Sequence, residues 1–378
     1  MANKLLSNNS VDFWKEVRVL NNSKASLPCT VDGTSGTQHI AEVWRKHYSN
    51  IFNCINSDLF KVGNVKCDDN MVIMPQEVDK AINKLSNNKA SGLDGITAEH
   101  LKYASARTSP LLRLCFNGFM IHGVLPDSML SVVLVPVIKD KAGKVGSLDN
   151  YRPIALASIL SKVMEMILLD KIIKYIDSSD NQFGFKPKHG TDLCIYALKE
   201  IVNKYRLQNS SVLMSFIDAS RAFDCINHRK LFIKLSKKGV PGYIVRILAY
   251  WYANQTMSVK WGNSVSEPFG VSNGVRQGGI LSPILFNLYM DDLSKELNAY
   301  KTGCWLGDNL INHLMYADDL VVLSPSSAGL QQMLNICTEY GIENDIKYNA
   351  SKSVVVICRT KEDKGQIFPL THSVISFK

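Results

Sequence analysis

The chain has 378 residues, 46% of them hydrophobic, and carries 43 Lys and Arg against 34 Asp and Glu, a net charge of +9. That length holds one large domain with an extension, or two domains, and the apolar share suffices for a real core. The basic excess favours an anionic partner, nucleic acid before membrane, whereas the longest apolar run, 129–138, is too short to span a bilayer.

The N-terminus has no apolar signal core. Nine cysteines stand at least 13 residues apart, so no zinc or redox Cys-x-x-Cys spacing exists, and they read as reduced thiols of an intracellular protein. Residues 1–74, rich in Asn and Ser, read as an extension or linker, with Trp14 and Trp44 marking short helical pieces. Residues 76–88 place Val78, Ile82 and Leu85 on one helical face. A glycine turn at Gly92 and Gly95 then leads to helices near 97–104 and 109–121.

Residues 131–138 read as a strand, followed by a basic loop with Lys139, Lys141 and Lys144 and then by Tyr151-Arg152-Pro153-Ile154. Ser158 caps a helix running to about 176. Cations beside glycines can cradle a triphosphate, because the backbone N–H groups come close and the cations neutralise it; solvated lysines are the commoner use of such a loop. Residues 182–191 form a basic, aromatic turn before a helix over 192–206. There Lys186, Lys188 and His189 suit a template backbone, while Phe183 and Phe185 suit core anchoring.

Strand 212–217 delivers Asp218 at its end, with a helix continuing to 228 and further helices over 229–237 and 241–252. Gly274-Val275-Arg276-Gln277-Gly278-Gly279 opens a long helix, with Ser282 as N-cap and Pro283 at the first helical position. Leu330 to Tyr340 make another amphipathic helix that Gly341 stops, followed by a strand over 353–358 and an extended segment over 367–378.

Three Asp-Asp pairs occur. Asp68-Asp69 lies in a polar stretch, Asp291-Asp292 in a helical pattern, and Asp318-Asp319 between two strand-like arms over 313–324. Two adjacent carboxylates at a hairpin tip are costly unless a cation neutralises them, so the third pair reads as a divalent-metal site. Asp218 alone is an ordinary helix N-cap and gains meaning only beside that pair.

Phe-Ile-Asp-Ala-Ser-Arg-Ala-Phe-Asp at 216–224, Gly-Val-Arg-Gln-Gly-Gly-Ile-Leu-Ser-Pro at 274–283 and Tyr-Ala-Asp-Asp at 316–319 occur in one order, supported by Asp-Asn-Tyr-Arg-Pro-Ile at 149–154 and Gln-Phe-Gly-Phe at 182–185. In that order they resemble the reverse transcriptases of non-LTR (LINE-type) retrotransposons such as jockey, CR1 and RTE elements. The resemblance covers about 75–378. It implies an α+β right-hand polymerase fold, with fingers and an antiparallel palm sheet packed on helices. It implies an RNA-directed DNA polymerase that uses an RNA template, a DNA primer and dNTPs, inside the cell and in the nucleus.

The same resemblance implies two Mg²⁺ ions, replaceable by Mn²⁺, on Asp218, Asp318 and Asp319. Lys139 and Arg152 match its triphosphate-binding cations, Phe223 its aromatic gate against a 2′-OH, and Gln277 and Gly278 its loop beside the incoming nucleotide. Lys352 matches an acid for the pyrophosphate leaving group, and Asp224 a family Asp with a structural role open to it. The family continues with a Tyr-Leu-Gly primer grip and a helical thumb, so the expectation is a chain cut before both. The competing expectation is a catalytically silent remnant that only binds nucleic acid. An RNA polymerase on the same palm is disfavoured by Phe223.

Overall fold

A computed structural model of the chain describes residues 27–56, 58, 60 and 71–359. The first Asp-Asp pair and the extended segment over 367–378 lie outside them.

The central sheet is built from β5 (Val212–Asp218), β11 (His313–Tyr316), β12 (Asp319–Ser324) and β13 (Val354–Cys358), in the order β11-β12-β5-β13 and antiparallel throughout. Strand alternation gives it two apolar faces. Leu213, Ile217, Leu320, Val322 and Met315 belong to the main core, whereas Val212, Met214, Val321, Leu323 and Leu314 belong to a separate core on the opposite side. Helix α7 (Thr191–Leu207) closes that second side with Ile201, Leu198 and Val202. Helices α6 (Ile159–Ile172), α8 (His228–Lys237), α9 (Gly242–Asn254), α10 (Ser282–Ala299) and α11 (Ser327–Glu343) form the main core.

A second sheet runs β4-β3-β6-β7, from β3 (Ser131–Ile138), β4 (Tyr151–Ala157), β6 (Thr256–Trp261) and β7 (Ser264–Val265), with β8 (Phe269–Gly270) also on β6. β3 and β4 are antiparallel, in a register that sets Pro136 opposite Pro153. Neither has an N–H to give, so the two prolines share one position of the ladder. The parallel pairing of β3 with β6 covers 131–134 and ends before Pro136. Helix α1 (Thr37–Phe52), from the stretch read as an extension, lies on this sheet and builds its core with Trp44, Tyr48 and Phe52 against Tyr151 and Trp261. Trp44 stacks on Tyr48 at 5.3 Å and meets Tyr151 edge-on at 4.9 Å.

The α+β class stands as read, with an antiparallel sheet packed on helices. Three local expectations do not. Residues 220–225 are turns rather than helix, between β-bridges at Ala219 and Asn227, because Arg221 takes φ 51° and the chain folds back toward the glycine-rich loop. Gly341 lies inside α11, where a Cβ would meet the Ile346 carbonyl oxygen and the Tyr348 ring, each at 2.9 Å; the helix ends at Glu343, with Asn344 as its C-cap. Ser282 is the first residue of α10 and Leu281 its N-cap. Ser158 caps α6 as expected, its side chain accepting from Ser161 N–H.

Candidate active site

Register brings the three carboxylates to one edge. Asp218 ends β5 and Asp319 begins β12, and the two are directly paired across the strands. Asp319 is also paired with Tyr316 on β11, so Ala317 and Asp318 are the two central residues of the hairpin turn. Ala317 takes φ 58°, a value that two-residue hairpin turns demand and that L-residues avoid. Asp318 therefore stands at the tip, flanked by Asp319 and facing Asp218.

The electrostatics match the placement. Burial raises the Asp318 pKa, and Asp319 and Asp218 raise it further. Burial and then Asp218 do the same for Asp319. Among the described residues no ion pair reaches any of the three. The contrast is Asp291-Asp292 on α10, where Lys238, Lys234 and Lys295 neutralise both carboxylates and hold both pKa values low against burial. The site's donor set is oxygen only, which suits hard divalent cations. As placed, the side chains stand side by side and do not close into a three-ligand cluster among the described residues.

Cations border this edge. Lys139 follows β3, Arg152 lies exposed on β4, and Lys352 is in the turn before β13. Burial lowers the Lys139 pKa, and Arg152, Lys352 and Arg221 lower it further, so four positive groups share one neighbourhood. Lys139 Nζ donates to the Asp149 carbonyl at 2.8 Å, and Arg221 pairs with the Asp149 carboxylate at 3.0 Å. The turn bearing Lys352 is tied to the end of β5, with Asn349 N–H donating to the Asp218 carbonyl at 2.8 Å and Asp218 N–H donating to Ser353 Oγ at 3.2 Å. Arg221 and Asp149 were not singled out from sequence, although both lie inside quoted motifs.

The glycine-rich loop lies between the two sheets. Ala155 N–H on β4 donates to the Gln277 carbonyl at 2.8 Å. Gly278 takes φ 107°, and a Cβ there would meet the Ala155 carbonyl oxygen at 3.2 Å. Val275 N–H donates to the Phe223 carbonyl at 2.8 Å. The Gln277 side chain donates to the Asp224 carboxylate at 2.8 Å. Phe223 stacks on Phe286 of α10 at 4.3 Å with the rings 5° from parallel, and Phe185 meets it edge-on at 5.8 Å. Beneath the loop, buried Arg276 pairs with buried Glu165 of α6 and lies over the Trp251 ring at 4.9 Å, while Glu165 also accepts from Ile280 N–H at 2.6 Å.

The aromatic turn at 182–191 differs from its reading. Lys186 Nζ donates to the carbonyls of Ser178 and Ser179, so it is engaged within the chain. Phe183 packs in the core under α7, but Phe185 is 44% exposed and leans on Phe223.

Residues 138–369 match the family described as reverse transcriptase (RNA-dependent DNA polymerase). The chain belongs to that family. It is 30% identical over 293 residues to a Retrovirus-related Pol polyprotein from the type-2 retrotransposable element R2DM of Drosophila melanogaster, a match that covers 77% of this chain and 26% of the relative. It is 26% identical over 287 residues to an RNA-directed DNA polymerase from mobile element jockey of Drosophila funebris, covering 73% of this chain and 31% of that one. The chain thus spans about a quarter to a third of the length of these relatives. Among solved structures it is similar to apo telomerase from Candida Tropicalis truncated from its C-terminal domain, at 14% identity and TM-score 0.46, covering 68% of this chain and 56% of the other. No helix among the described residues is long and apolar enough to cross a membrane.

Proposed function

We propose that this chain is the fingers-and-palm portion of a retrotransposon reverse transcriptase, adding dNTPs to a DNA primer 3′-OH on an RNA template. The observation that carries this reading is the pairing of Asp218 with Asp319 beside Asp318, un-neutralised by any ion pair among the described residues and bordered by Lys139, Arg152, Arg221 and Lys352. Asp218, Asp318 and Asp319 would hold two Mg²⁺ ions, or Mn²⁺ in their place. Such ions lower the pKa of the attacking hydroxyl and screen the triphosphate.

The remaining roles belong to the chain. Lys139 and Arg152 bind and orient the triphosphate, with Arg221 beside them. Lys352 lends a proton to the departing pyrophosphate. The Phe223 ring, fixed between Phe286 and Phe185, blocks a 2′-OH by bulk. Gln277 and Gly278 form the floor against which the new base pair lies, and the Gly278 backbone comes close because no Cβ intervenes.

The test is primer extension on RNA template and DNA primer with Mg²⁺ and either dNTPs or rNTPs, for the chain and for Asp318→Asn. Metal-dependent dNTP addition by the chain alone is expected. Equal signals from both proteins, alongside salt-sensitive RNA binding, would replace the reading with that of a silent nucleic-acid-binding remnant.

A further inference from the structure

The strained turn that carries Asp318 is held from outside the hairpin. Residues 181–183 run along the free edge of β11, with Met315 N–H donating to the Asn181 carbonyl and Phe183 N–H to the Met315 carbonyl, each at 2.8 Å. Gln182 is thereby placed beside Met315 in a parallel bridge. Its side chain, 3% exposed, reaches Ala317 twice. Oε1 accepts from Ala317 N–H at 3.0 Å, and Nε2 donates to the Ala317 carbonyl at 3.3 Å. Oε1 also accepts from Gly184 N–H at 2.8 Å, so two N–H donors fix which end of the amide is oxygen.

The fit is close. A Cβ on Gly184 would fall 2.2 Å from Ala317 N, so only glycine lets the strap lie against the turn. The strap is itself anchored, because Asn287 of α10 donates to the Gly184 carbonyl at 2.9 Å. The next residue, Phe185, takes φ 59° and presents its ring edge to Phe223.

We infer that Gln182 is a positioning residue: its amide holds Ala317 in the left-handed region and so fixes the direction of the Asp318 carboxylate. A carboxamide is suited to this because it offers a donor and an acceptor to one peptide unit. The inference rests on reading Asp318 as a metal ligand. It assigns to Gln-Phe-Gly-Phe a task at the hairpin tip, separate from contact with template.

The experiment compares Gln182→Leu and Gln182→Glu with the wild-type chain by three readouts. Amide exchange in the peptide over 313–320 is expected to quicken in Gln182→Leu while peptides from β5 and α10 keep their rates. Mn²⁺ binding followed by EPR is expected to weaken roughly tenfold, as for loss of other outer partners of metal ligands. In primer extension, kcat is expected to fall with little change in the dNTP KM. Gln182→Glu keeps both N–H acceptor contacts and is expected to lie between the two, and it serves alone if Gln182→Leu does not fold. Unchanged exchange over 313–320, or exchange raised equally everywhere, overturns the clamp. Unchanged Mn²⁺ affinity with a loosened turn overturns its link to Asp318. If wild type and Asp318→Asn bind Mn²⁺ alike, the metal-site reading falls, and exchange still decides the clamp.

Discussion

The Gln277 amide donates to the Asp224 carboxylate across 2.8 Å, joining the glycine-rich loop to the turn that follows Asp218. Asp224 is 4% exposed, and burial pushes its pKa up to about 6 although Gln277 and Arg221 pull it down. The ordinary value is 3.8, so the folded chain binds this proton more tightly than the unfolded chain does. The resulting stability is present below the ordinary value and is lost as pH rises through about 6. Asp224→Asn keeps an acceptor for Gln277 without the charge. Its stability relative to wild type should therefore rise between about pH 4 and about pH 7 in denaturant titrations. Asp224→Ala, which frees Gln277, should raise the dNTP KM severalfold.

Asp318→Asn should abolish extension and also stabilise the fold. Its carboxylate is partly buried near two others, and burial, Asp319 and Asp218 together outweigh its own backbone N–H and Arg152, which favour the ionised form. Removing one charge relieves that repulsion, and a gain on the order of 1 kcal/mol is expected. Thermal unfolding without divalent metal checks it; a Tm below wild type would count against the crowding of the three carboxylates.

Phe223→Ala should loosen sugar discrimination. The ring stacks on Phe286, meets Phe185 edge-on and packs against the main core. The ratio of rNTP to dNTP incorporation should increase by roughly ten- to a hundredfold, with a stability loss of about 3 kcal/mol from the lost burial of the ring and the cavity it leaves. An unchanged ratio would leave Phe223 as packing between helix and sheet.

Glu165→Gln should destabilise strongly, although it lies outside the quoted motifs. It would leave the Arg276 guanidinium buried without its counter-charge, at a cost of roughly 3–5 kcal/mol. Joint replacement by Arg276→Met and Glu165→Leu should cost far less in folding. It should still impair extension, because Ile280 N–H loses its acceptor and the loop bearing Gln277 is released. Urea unfolding and steady-state kinetics of the two variants separate these effects.

Much of the palm was legible because its patterns are local. β5 and the β11–β12 arms alternate between two apolar faces, and Asp218, Asp318 and Asp319 follow as the positions where that alternation ends in charge. β4 and β6 escaped notice: Pro153 argues against a strand until Pro136 is known to lie opposite it, and β6 follows directly on α9 without a turn signal. Arg221 and Gln182 escaped for another reason. Their partners, Asp149 and Ala317, lie 72 and 135 residues away, and no periodicity carries that information. Lys186 shows the converse, a cation whose composition suggested an outside partner but whose ammonium donates to the carbonyls of Ser178 and Ser179.

The order of the central sheet also dictates when the protein can be finished. β5 is synthesised first of its four strands, yet its neighbours are β12 and β13, which begin at 319 and 354. A nascent chain halted before 319 carries an apolar strand with both hydrogen-bonding edges open, and one halted between 324 and 354 still leaves the β13 edge of β5 open, a template for joining other chains. Closing such long loops is slow. Yield of folded protein should therefore respond to chaperone supply and to translation pausing between Asp218 and Val354, and slow elongation in that interval should send the chain toward aggregates.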